Sequence, residues 1–238
     1  FLLVIVNRNS ASYIIFDDSL FLSFENGVFK EVVSDSLFKK TYHIFYQKEY
    51  IGKYELYNID SEFGKLFFSN SESRDTYSFE TPYLAITPGI EFVSFEVVDG
   101  GIEDLSYLTY DLKKYWIESI EELDIFKKVI FDIDSDGNNE TIYYVSYWDE
   151  LDDGLSLDTS FSLVFMVDNS KVYPLEETVP YDAYTDEEDS FYTMDNLVLE
   201  YLFKVDNSVF MVVSAKSTDV AFYSIYEFTG DSVVCKYS

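Results

Sequence analysis

Short apolar runs, about ten residues apart and separated by turn-forming residues, dominate this chain, and such spacing predicts a sandwich, barrel or propeller. Residues 19–25 and 28–33 flank Asn26-Gly27, the dipeptide that best tolerates the two positive φ angles of a type I′ turn, and so predict a hairpin. The runs at 42–45, 91–98, 141–148 and 220–228 are rich in β-branched and aromatic residues, which suit a pleated, half-buried surface. One stretch departs from this pattern. From Asp104, suited to an N-cap, Leu105, Leu108, Leu112, Tyr115, Trp116, Ile120 and Leu123 recur three or four residues apart, with Glu118, Glu121 and Glu122 elsewhere on the wheel. That periodicity predicts an amphipathic helix near 104–123 whose apolar stripe packs on its own sheet.

Beyond the helix, strands are expected at 127–131, 141–148, 161–167 and 171–175 and, after an acidic loop, at 197–204, 209–215, 220–228 and 233–237. The expected fold is therefore mainly β, made of tandem four-stranded antiparallel meanders in a propeller-like arrangement, open or closed, with one inserted helix. Counting strand groups gives about four blades, the low end for closure. A β-rich part over 1–125, ending in the helix, would precede two blades over 126–238, or the whole would be one continuous domain. A weak internal repeat agrees with this: residues 55–62, 129–136 and 201–208 align as apolar-acidic strings.

Composition narrows the function classes. The 238 residues include 45 acidic and 16 basic side chains, a net charge of −29, and 47% are hydrophobic. So much apolar surface supports a real core and excludes a disordered acidic tail. The charge excludes a nucleic-acid binder, which needs a basic footprint. One Cys rules out an internal disulfide framework and one His a multi-His metal site. The charge is also uneven, because residues 132–195 hold eighteen acidic residues against Lys171 alone. Much of it falls in the loops 149–153 and 176–195, read either as solvated segments or as a negative face for a cationic partner.

The stretch 131–140, Phe-Asp-Ile-Asp-Ser-Asp-Gly-Asn-Asn-Glu, carries the readable chemistry. Three carboxylates at alternating positions, a Gly for a sharp turn and a closing Glu are what a hard cation needs, since Ca²⁺ takes six to eight oxygens at about 2.3–2.6 Å. Asp132, Asp134 and Asp136 are assigned as side-chain ligands, Asn138 as a main-chain carbonyl ligand and Glu140 as the closing carboxylate, with Gly137 allowing the turn. An EF-hand shares the first half of this pattern but needs a Glu at loop position 12, where Tyr143 stands, and helices on both sides. The acid at position nine instead resembles the calcium loops of FG-GAP and VCBS-type repeat proteins, as in integrin α-chain propellers and bacterial surface proteins. The resemblance covers about 15 residues directly and, through the meanders, 126–238. Glu140 stands where integrins usually carry Asp. The other two repeat copies depart from the family pattern: Asn58, Asp60 and Glu62 lack the Gly and a closing acid, while Lys204, Asp206 and Ser208 put a cation at the first ligand position. One good site, at most one poor one and no metal at the third are expected.

The resemblance implies a non-enzymatic calcium-binding module of a cell-surface or secreted protein, extracellular, with a protein or carbohydrate ligand. The alternative is a carbohydrate-active or other hydrolase whose carboxylate pair hides among the many acids. His43 lies in a strand pattern with no nucleophile motif beside it and reads as structural. Cys235 alternates within its strand and reads as a small buried hydrophobe. Asn139-Glu-Thr141 is formally a glycosylation acceptor that overlaps the ion loop. No phosphate loop, dinucleotide fingerprint or zincin helix is present. The opening run Phe1 to Val6 is read as a buried strand or as the end of a membrane anchor or signal segment lying upstream.

Overall fold

A computed structural model describes residues 11–60, 64–70, 73, 75–79, 83–101, 120–133, 137–151, 154–155, 160–178, 181–182, 192–193, 196–206, 208–216, 221–229 and 232–238. The chain divides into two compact units, Phe1–Phe92 and Val93–Ser238. The boundary expected at 125/126 falls inside the second.

In the N-terminal unit, β1 (Ser12–Phe16), β2 (Leu20–Glu25), β3 (Val28–Glu31), β4 (Thr41–Tyr46), β5 (Glu49–Ile59), β6 (Leu66–Asn70), β7 (Thr76–Tyr77) and β8 (Tyr83–Ile86) form one antiparallel sheet ordered β3-β2-β1-β8-β4-β5-β6-β7. The predicted hairpin is β2–β3, and both Asn26 and Gly27 have positive φ, 54° and 77°. Period-two alternation places Tyr42 and Ile44, Tyr54 and Leu56, Leu66 and Phe68, and Tyr83 and Ala85 in one cluster with Ile15 and Leu37. The buried Tyr42 hydroxyl donates to the Leu37 carbonyl at 2.9 Å, and burial, with a smaller contribution from Tyr13, pushes its pKa well up. A further strand, β9 (Ile90–Val93), spans the unit boundary, with Val93 the first residue of the second unit.

The C-terminal unit holds β10 (Val98–Asp99), β11 (Ile125–Phe131), β12 (Glu140–Tyr147), β13 (Glu150–Leu151), β14 (Gly154–Leu155), β15 (Phe161–Asp168), β16 (Lys171–Thr178), β17 (Tyr181–Asp182), β18 (Tyr192–Thr193), β19 (Asn196–Val205), β20 (Ser208–Lys216), β21 (Ala221–Phe228) and β22 (Val233–Tyr237). One sheet is ordered β10-β11-β12-β15-β16, and another runs β22-β21-β20-β19. All eight strands expected in this half are present. The two sheets share a core that includes Val129, Ile142, Val164, Met166, Leu199, Leu202, Met211 and Val213. Each such side chain contributes about 1.5–3 kcal/mol by burial. The opposite face of β12 and β15 is buried as well, around Tyr143, Val145, Phe161 and Phe165, so these strands read as continuous apolar runs.

The mainly β expectation holds, and both C-terminal meanders are seen. One other expectation meets a different structure. The N-terminal strands join one eight-stranded sheet instead of separate four-stranded blades, and no sheet among the described residues closes on itself. The helix expected over 104–123 lies outside the described residues except at its end, where Ile120–Glu122 form a 3₁₀ turn. Among the described residues no helix is long and apolar enough to cross a membrane. Residues 1–10, which include the candidate strand or anchor Phe1 to Val6, also lie outside them.

Cys235 is exposed, contrary to its expected burial. It lies on β22, the edge strand of its sheet, opposite Tyr226 of β21, and its neighbour Val234 is exposed too. Alternation hides every second residue only where another layer covers that face. The expected acidic loop from 176 also starts later than expected: Glu176 belongs to β16, and its carboxylate accepts the Tyr226 hydroxyl at 2.5 Å.

Candidate metal centre

The sequence loop 132–140 connects β11 to β12, between adjacent antiparallel strands. Phe131 and Glu140 are the last paired residues of this ladder, so of the first and last proposed ligands Glu140 sits on the last rung and Asp132 directly follows the other strand. Two hydrogen bonds curl the connection between them. The Gly137 N–H donates to Asp132 Oδ2 at 3.1 Å, and the Ile133 N–H donates to Glu140 Oε2 at 2.6 Å. Gly137 has φ of +92°, a left-handed conformation that costs a side-chain-bearing residue about 1–2 kcal/mol. Its predicted role as the turn residue therefore has a conformational basis.

Glu140 is only 3% exposed. A carboxylate that deep needs compensation, and the Ile133 N–H supplies part of it. Ile133 is itself buried and sits in the inter-sheet core, which ties the closing acid to the packing of the two sheets. Sequence reading missed this link, because a main-chain donor leaves no residue-type signal. Asn138 is exposed. Asp134 and Asp136 lie outside the described residues. Among the described residues no three His, Cys, Asp or Glu side chains converge, and two of the four loop carboxylates are not among them. The donor set is oxygen only, four carboxylates and a carbonyl, which fits a hard divalent cation and not a thiolate- or imidazole-seeking one.

The other two repeat copies are built differently. Asn58 and Asp60 sit at the end of β5, where the Asp60 N–H donates to the Lys65 carbonyl and the Gly64 N–H to the Asp60 carbonyl; Glu62 lies outside the described residues. The third copy spans the β19–β20 turn. There Val205 pairs directly with Ser208, and Asp206 has a φ of 55°.

A second acidic turn shows what carboxylates do when the protein supplies the donors. Between β1 and β2, Asp17 has φ of 53° and is 7% exposed. Its Oδ1 accepts the Tyr83 N–H at 2.6 Å. Asp18 Oδ1 accepts both the Leu66 N–H at 3.1 Å and the Tyr83 hydroxyl at 2.7 Å. These two acids fasten the turn to β6 and β8.

Other buried acids are matched to hydroxyls. Glu200 is the extra residue of a bulge in β19 and accepts Ser214 Oγ at 2.9 Å. Burial, and then the Glu200 charge, pushes the Tyr144 phenol up to about 12. Burial and the hydrogen bond to Glu176 push Tyr226 higher still. Such phenols stay protonated at neutral pH and serve as fixed donors. Glu227 is affected in the opposite direction: burial works to raise it, but hydrogen bonds from Ser208 and Lys236 outweigh that and hold it below its usual value. His43, in β4, sits below its ordinary pKa through burial first and the nearby Lys53 second. Comparison with protein-family models, curated proteins and solved structures finds no match to this chain.

Proposed function

We propose that this chain is a non-enzymatic calcium-binding β module of a cell-surface or secreted protein. In this reading Ca²⁺, held by Asp132, Asp134, Asp136, Asn138 and Glu140, fixes the β11–β12 connection and with it a surface used for binding or adhesion. The observation that carries the proposal is the closure of that connection from both ends, Asp132 on the Gly137 N–H and the buried Glu140 on the Ile133 N–H. This brings the first and last carboxylates of an acid-rich loop to the same end of one ladder, where their mutual repulsion favours a counter-ion. The two face-packed meanders are read, on the same ground, as a pair of FG-GAP-like blades with the loop between adjacent strands.

The ion's role is structural. Extracellular modules bind Ca²⁺ at about 0.1–1 mM, and at ~1 mM Ca²⁺ with a ~0.1 mM dissociation constant linkage contributes about 1.4 kcal/mol. Calorimetric titration with CaCl₂ tests the reading. One site in the sub-millimolar range is expected, and Asp134→Asn should abolish it. No heat of binding up to ~10 mM, well above that range, would remove calcium from the account.

A further inference from the structure

Along β4, His43 and Phe45 alternate with the core residues Tyr42 and Ile44 and so project from the other face of the sheet. There they meet Tyr50 of β5, the cross-strand partner of Phe45, and Phe92 of β9 in a continuous row of rings. Centroids are 5.7 Å apart for His43 and Tyr50, 5.4 Å for Tyr50 and Phe45, and 4.3 Å for Phe45 and Phe92, the last pair stacked at 28°. The row borders an open cavity of about 420 Å³, with Ile86 and Ile90 as its aliphatic wall and Glu91 on its rim. Tyr50 is 52% exposed and Glu91 is exposed, while Ile86 and Ile90 are buried. All these residues belong to the N-terminal unit.

The ring spacings decide among ligands. An aromatic cage holds a cation between separated faces, each within about 6 Å of it; rings in mutual contact fill that space themselves and leave a strip. A strip suits a ligand with an apolar face. Nucleobases have one, but the net charge of −29 repels their phosphates. Polyproline segments dock on aromatic grooves as well, yet they offer carbonyl acceptors, which an acceptor-only carboxylate cannot satisfy. A pyranose ring offers C–H groups to the rings and hydroxyl donors to the rim. We propose that this cavity binds a neutral pyranose unit of a glycan, its C–H face on Tyr50 and Phe45 and its hydroxyls on Glu91 and His43. His43 contributes as a neutral imidazole, one donor and one acceptor, a state its lowered pKa favours. The cavity volume lies within the range of small-ligand sites and suits one or two sugar rings. This site stands independently of the calcium loop.

Saturation-transfer NMR with cellobiose, lactose, N,N′-diacetylchitobiose and mannobiose tests it. Each sugar is used at about 10 mM, above the ~1 mM dissociation constant suited to so open a site, and in EDTA to keep the calcium loop out of the readout. At least one sugar should show transfer to its ring C–H protons. Tyr50→Ala should weaken that binding by about tenfold, Glu91→Gln by about threefold, and Tyr50→Phe by less than about twofold. Tyr50 is exposed, so Tyr50→Ala should melt as the parent does. Silence from all four sugars, binding unchanged in Tyr50→Ala, or binding of a proline decamer in place of the sugars would overturn the proposal.

Discussion

Two acidic turns in this molecule carry different numbers of carboxylates. In the N-terminal unit, Asp17 and Asp18 are supplied with donors by the fold itself, two main-chain N–H groups and a phenol delivered by β6 and β8. In the C-terminal unit, Asp132 and Glu140 each take a main-chain N–H, but Asp134 and Asp136 crowd into the same nine residues. The wider surroundings differ in the same sense. Residues 1–92 carry thirteen acidic against eight basic side chains, whereas residues 93–238 carry thirty-two against eight. A carboxylate pair can be neutralised by well-placed protein donors, and in the proposed reading a cation does the same for the four carboxylates of the second loop. Asp17 and Asp18 show that adjacent acids are not in themselves an ion site where the surrounding strands bring donors.

The largest expected effect breaks the self-sufficient turn. Asp18→Ala leaves the Leu66 N–H and the Tyr83 hydroxyl without their charged acceptor and should cost about 3 kcal/mol in urea unfolding, by the same amount in EDTA and in calcium. Glu140→Ala comes next. It orphans the buried Ile133 N–H, costs about 2 kcal/mol in EDTA, and abolishes the calcium-dependent gain. Glu140→Gln keeps a carbonyl acceptor for Ile133, so it should lose most of the calcium gain while retaining most of the calcium-free stability. Tyr83→Phe removes one donor from Asp18 and should cost about 1 kcal/mol, again irrespective of calcium.

The smallest effect concerns pH within the calcium-independent unit. His43, the chain's sole imidazole, should titrate below the usual 6.5 by NMR. The folded state prefers the neutral ring, so its contribution is fully present above pH 6.5. It is lost as pH falls from there through the folded-state pKa, because the unfolded chain takes up the proton first. Lys53→Met should move the titration back up; an unchanged midpoint would exclude Lys53 as a cause.

Much of the strand pattern was legible because alternation and turn chemistry are local. Asn26-Gly27 announces its turn, whereas Gln47-Lys48 makes a two-residue connection with both φ angles positive, 50° and 66°, and no Gly or Asn to signal it. The order of the N-terminal sheet was not legible. β8 inserts between β1 and β4, and that long-range pairing depends on Asp17 and Asp18 meeting Tyr83 some 65 residues away. Cys235 was misread because alternation carries no information about which strand lies at an edge. In the 132–140 loop the Gly137 turn could be read from spacing. The Ile133 N–H that holds Glu140 could not, nor could the aromatic strip, which Phe92 joins from a strand far along the chain.

The most direct measurement is thermal unfolding in EDTA and in ~1 mM CaCl₂ for the parent chain, Asp134→Ala and Asp18→Asn. The account predicts a calcium-dependent gain of about 1.4 kcal/mol, roughly 4 °C, present in the parent and in Asp18→Asn and lost in Asp134→Ala. Coincident curves for the parent chain, or a gain that survives Asp134→Ala, would contradict it.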